Sequence, residues 1–160
     1  MTKEEKRAAK ILLAKELFAR GANCSQAVAG AFAAECGLTE EAAFRLASGF
    51  GGGVARMREV CGALSGMFMV LGFLKGNGNI EDKKAKDAFY GFLQKQAEKF
   101  RSQAGGSIIC RELLQGSGNE KAASCRSPES EERSSAYYKK RPCSELVALA
   151  VSLTVDALEE

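Results

Sequence analysis

Six cysteines and no histidine limit the chemistry open to this 160-residue chain. Without histidine it lacks the commonest general base, the commonest metal ligand and the usual haem ligand. Four of the cysteines, Cys24, Cys61, Cys110 and Cys143, each stand in or next to the first turn of a predicted helix. The amino end of a helix carries partial positive charge, which favours a thiolate over a thiol. We therefore expect sulfur to carry the chemistry of this protein.

Four thiols placed in this way have three distinct uses. All four could hold a zinc ion or an iron–sulfur cluster, because both take sulfur ligands. Two could instead form a reversible disulfide, in which a thiol of low pKa attacks and a second thiol resolves. The third use is packing alone, since free cysteine is among the most buried residue types. The four-thiolate metal or cluster site is the first hypothesis; in the dithiol alternative, an oxidoreductase, Cys61 is the expected attacking thiol.

The spacing of the four cysteines excludes local motifs. They are separated by 37, 49 and 33 residues, so the chain has no Cys-x-x-Cys pair and no thioredoxin-type or zinc-knuckle motif. Three cations near them in sequence, Arg58, Arg111 and Arg141, would lower the pKa of adjacent thiols. A four-cysteine site in this chain has to be assembled by the tertiary fold.

Cys36 and Cys125 lack the helix-start context. Cys36 is predicted at the carboxyl end of the helix that begins at Cys24, where the helix dipole disfavours a thiolate. Twelve residues on one helix span about 18 Å, so these two cysteines cannot share a metal. Cys125 lies in a polar segment. Neither residue is assigned to the site.

Glycine is concentrated around Cys61. The run Gly49–Gly53 lacks the Gly-Lys-Ser/Thr ending of a phosphate loop, and Val54 occupies the last glycine position of the dinucleotide pattern. The glycines expected to support the site through their backbone are Gly51, Gly52, Gly53, Gly62 and Gly66. The first three are expected to donate hydrogen bonds to sulfur. The last two, one helical turn apart, are expected to let a neighbouring backbone approach closely.

Apolar spacing indicates helix along nearly the whole chain, and no strand pattern competes. The predicted helices cover residues 4–20, 24–36, a short stretch from 40, 60–75, 82–100, 108–115, a short stretch from 128, and 142–158. The predicted N-caps are Asn23, Thr39, Ser107 and Ser127, and the predicted core face of the helix over 82–100 is Ala85, Phe89, Phe92, Leu93 and Phe100. The prediction is an all-α fold: a single-domain bundle of about six to eight helices over residues 1–160, with 116–141 as a less ordered connecting segment.

Composition and charge limit the kinds of partner and the location expected for this chain. A net charge of +3, with one dense basic run at Lys139–Arg141 and no aromatic residues interleaved in it, does not indicate a nucleic-acid-binding protein. The longest uncharged run, 60–74, has 15 residues and is shorter than a membrane span of roughly 18 or more. The charged amino terminus does not resemble a secretory signal, so a cytoplasmic location is expected. In a reducing compartment six cysteines favour metal or redox duty over a disulfide framework.

An ordered set of motifs extends from Gly21 to Leu158. It comprises Asn23-Cys24-Ser25-Gln26-Ala27-Val28, Gly51-Gly52-Gly53, Cys61-Gly62-Ala63-Leu64-Ser65-Gly66, Cys110, and Arg141-Pro142-Cys143. Together these motifs resemble the C_GCAxxG_C_C family of redox-active proteins, which is named for four cysteines in this order. This chain has Cys-Gly-Ala where the family name has Gly-Cys-Ala. The resemblance implies the same four site residues as the helix-start argument: Cys24, Cys61, Cys110 and Cys143.

What the resemblance implies is redox work with an unidentified redox partner. It does not choose between a cluster and a dithiol, although a related module in split-Soret cytochromes is thought to hold an iron–sulfur cluster. Members are often associated with transporter genes, which implies a transporter-associated partner. The alternative of a different class is a non-catalytic helical interaction module, a homodimer or bound to a transporter, whose cysteines are structural.

Overall fold

Nine α-helices and no β-strand form in the computed structural model, which describes every residue from Met1 to Glu160. The helices are α1 (Lys3–Ala19), α2 (Cys24–Ala31), α3 (Glu40–Ala47), α4 (Gly62–Lys75), α5 (Lys83–Gln103), α6 (Cys110–Gly116), α7 (Glu120–Ser124), α8 (Ser135–Lys140) and α9 (Cys143–Ala157). A 3₁₀ turn over Ser48–Phe50 follows α3. None of the helices combines the length and hydropathy that a membrane span needs. The all-α prediction is confirmed, with one helix more than the upper end of the predicted number.

The amino end of α2 is fixed by its cap. Asn23 Oδ1 accepts a hydrogen bond from the N–H of Gln26 at 2.9 Å, and Gln26 Oε1 accepts one from the N–H of Asn23 at 3.0 Å. This reciprocal arrangement satisfies two backbone donors that the helix leaves free. It also fixes the position of Cys24, the first residue of α2. The predicted caps Asn23 and Thr39 are both confirmed.

Helix α2 lies at the centre of the bundle, in contact with α1, α3, α4 and α9. Helix α9 also packs against α1, α4 and α5. The apolar side chains that these contacts bury most completely include Leu17, Phe18, Val28, Phe32, Leu64, Met67, Leu71, Phe100, Val147 and Val151. Because well-packed interiors have few voids, this shared core fixes α2, α4 and α9 relative to one another.

Gly66 is the point of closest approach between α4 and α2. A Cβ on Gly66 would lie 2.7 Å from the carbonyl oxygen of Ser25 and 3.0 Å from Cβ of Val28. A Cβ on Gly62 would lie 2.8 Å from the carbonyl oxygen of Phe50. The contacts with the carbonyl oxygens, 2.7 Å at Gly66 and 2.8 Å at Gly62, are too short for a side chain, so the predicted close approach at these two glycines is confirmed.

We expect Gly66→Ala to destabilise the fold by about 1–3 kcal/mol, because the added methyl group overpacks the α2–α4 contact. Gly72 on the same helix is the matched control, since the position of its Cβ is open. Gly72→Ala is expected to be neutral or to stabilise α4 by up to about 1 kcal/mol through helix propensity. Urea unfolding measures both free energies. Equal effects at the two positions would contradict the role assigned to Gly66.

Several predicted helix boundaries are wrong, among them the end of α2, the start of α4 and the start of α6. Helix α2 ends at Ala31, because the N–H groups of Phe32 and Ala33 bond to carbonyls three residues back, which tightens the last turn. Cys36 therefore lies in the turn beyond α2. Helix α6 begins at Cys110, since Oγ of Ser107 accepts a hydrogen bond from the N–H of Ile109 at 3.0 Å and holds this residue outside the helix.

The predicted core face of α5 is only partly correct. Phe100 is fully buried, and Phe92 and Leu93 pack against the core in part, whereas Ala85 and Phe89 do not belong to it. Helix α5 has 21 residues, and the helices it packs against, α4 and α9, have 14 and 15. Its first turns have no partner helix of matching length and stay largely exposed.

The segment 116–141 holds α7 and α8, but no helix starts at Pro128 as predicted. Ser127 accepts a hydrogen bond from the N–H of Glu129 at 3.2 Å, which closes a local turn instead. Helix α8 begins later, capped by Ser134, whose Oγ accepts from the N–H of Tyr137 at 3.2 Å. This segment supplies one wall of the cavity described next.

Candidate functional site

The four cysteines selected from the sequence line one cavity of about 470 Å³. Cys24, Cys110 and Cys143 are the first residues of α2, α6 and α9, and Cys61 immediately precedes α4. The predicted helix-start context is confirmed for all four. Cys61 is buried at 4% exposure, and the other three are half-buried. The amino ends of these helices therefore face a shared space.

A short pairing of two loops holds Cys61 beside Cys110. The N–H of Cys61 donates to the carbonyl of Ile108 at 2.8 Å, and the N–H of Cys110 donates to the carbonyl of Glu59 at 2.6 Å. An isolated antiparallel bridge joins Val60 to Ile109 in the same place. The two loops are about 50 residues apart in sequence, so only tertiary structure places these thiols on one wall.

The segment before Cys61 has an unusual backbone. Five consecutive residues from Gly52 to Arg56 have positive φ, between 50° and 74°, and Arg58 has φ 62°. A left-handed conformation costs roughly 1–2 kcal/mol for each residue that carries a Cβ. The N–H groups of Ala55, Arg58 and Glu59 donate to glycine carbonyls six residues earlier at 2.7–3.0 Å, which offsets part of this strain. Strain of this kind is concentrated at functional sites.

The left-handed segment places Arg56 and Arg58 on the cavity wall. Arg58 is 2% exposed; its Nε donates to the carbonyl of Cys125 at 3.0 Å, and its Nη1 lies 3.9 Å from Sγ of Cys110. Nε of Arg56 donates to the carbonyl of Ser127 at 2.7 Å. Nη2 of each arginine is buried and has no hydrogen-bond partner in the protein. A buried donor without a partner costs about 1–3 kcal/mol, so both guanidinium groups have unused binding capacity.

Two further arginines complete the wall from the segment around α8. Arg133 donates to the carbonyls of Phe18 and Ala22 at 3.1 Å, and its guanidinium lies 4.9 Å from the ring centre of Tyr137. The guanidinium of Arg141 also lies 4.9 Å from the ring centre of Tyr137, and Arg141 is paired with Glu131. Four arginines and one glutamate line the cavity, so its wall is electropositive.

Three of the four cavity thiols have a raised pKa although they stand at helix starts. Burial raises the pKa of Cys61 to about 12, although the backbone N–H groups of Ala63 and Leu64 at the start of α4 act in the opposite direction. Burial also raises the pKa of Cys110, and Arg58 offsets part of that increase. Helix-dipole effects are worth at most about 2 kcal/mol, whereas full burial can shift a pKa by roughly 3–5. At these residues burial therefore outweighs the helix dipole.

Cys143 is the exception. A hydrogen bond from Cys24 lowers the pKa of Cys143, and the positive charges of Arg141, Arg133 and Arg58 add to this effect. The same contact, together with burial, raises the pKa of Cys24 well above its usual value. Cys143 is therefore the more acidic thiol of the pair, and Cys24 is the one that keeps its proton to higher pH.

The predicted glycine supports divide into two groups. Gly51, Gly52, Gly53 and Gly62 line the cavity, whereas Gly66 serves the contact between α4 and α2. The structure has no hydrogen bond from the N–H groups of Gly51–Gly53 to sulfur; their carbonyls accept bonds from the left-handed segment instead. Two of these positions are too tight for a side chain: a Cβ on Gly51 would lie 2.4 Å from Cγ of Asn23, and a Cβ on Gly53 would lie 2.6 Å from Cβ of Cys110.

Neither of the two cysteines that the sequence analysis left out of the site lines the cavity. Cys36 is buried in the apolar core away from the cavity, and Cys125 contributes only its carbonyl to Arg58. Arg111, considered a neighbour of Cys110, pairs with Glu59 and does not line the cavity. Arg56, Arg133 and Tyr137 line it but carry no local sequence signal. Only the packing of α8 and the left-handed turn reveals them.

The donor set consists of four thiols around one cavity. No three side chains among the cysteines and carboxylates stand close enough together to hold one ion. Four thiolates are, by type, ligands that zinc also takes. Four thiols around an electropositive cavity are, by type, the ligands of an iron–sulfur cluster, which spreads them over several irons.

The fold and the cavity define an all-α protein with a thiol site assembled from four helix starts. A family model described as "Putative redox-active protein (C_GCAxxG_C_C)" matches residues 22–157. The chain therefore belongs to the C_GCAxxG_C_C family, and the resemblance found in its motifs is confirmed. Neither the curated proteins nor the solved structures gave a match.

Proposed function

We propose that this protein is a thiol–disulfide redox protein in which Cys143 attacks and Cys24 resolves. One observation carries the proposal: Cys24 and Cys143 line the same arginine-lined cavity and shift each other's pKa in opposite directions, so the two sulfurs are neighbours. Contact between a thiolate and a thiol is what disulfide formation needs. The family description as redox-active supports the same class of chemistry. The cavity electrostatics favour Cys143, rather than Cys61, as the attacking thiol.

The reaction balances with a disulfide as the oxidant. The Cys143 thiolate attacks one sulfur of an oxidised substrate; its S–S bond breaks, and the leaving thiolate takes a proton. Cys24 then loses its proton and attacks Sγ of Cys143, which releases the second substrate thiolate and forms the Cys24–Cys143 disulfide. The substrate gains two electrons and the protein loses two. A thiol reductant reverses the sequence.

An iron–sulfur cluster is the second candidate, favoured by the presence of all four thiols around one cavity. Cys24, Cys61, Cys110 and Cys143 would hold it, and when bound it would supply one-electron transfer. The arginines would then balance the negative charge of the four thiolates. The raised pKa of Cys61 and Cys110 means that both must release protons before they act as ligands.

Anaerobic purification followed by iron, zinc and thiol analysis tests the proposal. We expect metal-free protein with six free thiols, falling reversibly to four on mild oxidation, and peptide mapping that finds Cys24 joined to Cys143. Brown protein with iron and about two reactive thiols left would move the assignment to the cluster. Thiols that neither cycle nor bind metal would refute a redox role for the cavity.

Cys61→Ser separates the two candidates further. In the dithiol protein this variant keeps the Cys24–Cys143 disulfide, because Cys61 takes no part in it. In a cluster protein it loses iron and thermal stability together, because a ligand is missing. Cys36→Ser is the matched control, since Cys36 is a buried cysteine outside the cavity.

A further inference from the structure

Two guanidinium groups on the cavity wall, those of Arg56 and Arg58, each have a donor atom that thiol exchange does not use. Exchange needs the Cys143 thiolate and a resolving thiol, and the arginines that favour this thiolate most are Arg141 and Arg133. Arg56 does not act on Cys143 in this way, and Nη2 of both Arg56 and Arg58 has no partner. Arg58 is 2% exposed, so its unpartnered Nη2 is shielded from bulk solvent. Buried N–H donors without a partner indicate a ligand that would accept hydrogen bonds from them.

The size and charge of the cavity define the class of that ligand. A volume of about 470 Å³ falls within the range of small-molecule sites, about 300–1,000 Å³. Both arginines belong to the strained left-handed segment, whose conformation holds them on the wall. Arginine recognises carboxylates through paired N–H donors. The tyrosine on the same wall, Tyr137, stays protonated because burial raises its pKa to about 12, so its hydroxyl remains a donor.

We propose that the cavity takes a small disulfide that carries carboxylates, and that Arg56 and Arg58 bind a carboxylate while its sulfur meets Cys143. This inference rests on the proposed thiol–disulfide function and names its substrate class. In the step itself, Cys143 displaces one carboxylate-bearing thiol and Cys24 displaces the second. Two anionic thiols leave, and the protein keeps the disulfide.

Three disulfides of similar size and different charge test the inference: 3,3′-dithiodipropionate, which is anionic, 2-hydroxyethyl disulfide, which is neutral, and cystamine, which is cationic. Each is mixed with the reduced protein, and thiol release gives a rate constant. Each rate constant is divided by the rate constant for the reaction of the same disulfide with 2-mercaptoethanol, which corrects for the intrinsic reactivity of that disulfide. We expect the anionic probe to react about tenfold faster than the neutral one and cystamine to react slowest.

Arg56→Gln is the variant of choice, because Arg56 is only half-buried whereas Arg58 is fully buried. The ratio of anionic to neutral rates is expected to fall toward unity in this variant and to recover in part with Arg56→Lys. Arg126→Gln is the matched control: it removes an exposed arginine that does not line the cavity, and its ratio should equal that of the wild type. A ratio near unity in the folded wild type, or one unchanged by Arg56→Gln, would overturn the inference.

A binding measurement separates failure of the inference from failure of the proposed function. Calorimetric titration of 3,3′-dithiodipropionate into Cys143→Ser reports binding without exchange. Saturable binding that Arg56→Gln abolishes supports the anion site even if the wild type exchanges with no disulfide, in which case only the proposed function fails. Exchange without charge preference, together with no binding here, overturns the inference and leaves the thiol chemistry in place.

Discussion

Cys143→Ser is expected to remove the one cavity thiol that reacts rapidly at neutral pH. Alkylation by iodoacetamide requires the thiolate, and only Cys143 among the four cavity thiols has a lowered pKa. With the pKa of Cys61 at about 12, only about one Cys61 thiol in 10,000 is ionised at pH 8. We expect labelling of the cavity thiols at pH 7, resolved by peptide mass spectrometry, to fall at least about tenfold in the variant.

The labelling rate of Cys143 is expected to depend on pH in a direction set by its lowered pKa. Because its folded-state pKa is depressed, the labelling rate of Cys143 rises with pH through a midpoint below that of an ordinary cysteine and then levels off. Labelling of Cys61 stays slow up to pH 9 and rises only as pH approaches 12. Arg141→Gln removes one charge that lowers the pKa of Cys143, so it moves the midpoint upward. Cys36→Ser should leave the profile unchanged.

A different order of labelling would contradict this assignment. If Cys61 or Cys110 reacts at pH 7 as fast as Cys143, the lowered pKa of Cys143 does not control reactivity. The variant also affects the disulfide: oxidised Cys143→Ser should contain no bond between positions 24 and 143. Wild-type reversibility in that variant would require another pair of thiols.

Gly53→Ala is expected to destabilise the fold strongly, by about 2–5 kcal/mol. Gly53 has φ 74°, a region that costs a residue with a Cβ roughly 1–2 kcal/mol. This cost alone is tolerated nearby, since Val54 and Ala55 also have positive φ. The added Cβ decides the outcome, because it would lie 2.6 Å from Cβ of Cys110 and 2.8 Å from the carbonyl carbon of Arg58. Overpacking adds about 1–3 kcal/mol.

Thermal unfolding of the variant measures this effect as a decrease in Tm of roughly 5–15 °C. Gly49→Ala is the control in the same glycine run, since no atom lies within 4 Å of its Cβ position and its φ is not positive. It should change stability by less than about 0.5 kcal/mol. A Gly53→Ala protein as stable as Gly49→Ala would show that the loop carrying Arg58 is not packed against Cys110 as described.

Local signals predicted the helices well because each depends on neighbours in sequence. Asn23 caps α2 through Gln26, three residues away, and the apolar stripes of α1 and α9 are buried as their periodicity indicates. The same reasoning was wrong where a distant partner decided the outcome. The loop before α6 is held by residues about 50 positions earlier as well as by the local turn at Ser107, so α6 starts late. Helix α5 is exposed where its partner helices end.

The candidate site also has some features set by sequence neighbours and others set by distant partners. The sequence alone determined which four cysteines stand at helix starts, since capping and helix periodicity are local properties. Only the tertiary structure decided that they line one cavity, that Cys24 is a neighbour of Cys143, and that four arginines surround them. The pKa order of the thiols also came from packing, because burial and distant charges outweigh the helix dipole. Burial is a property of the whole fold, and no window of sequence around Cys61 or Cys143 contains it.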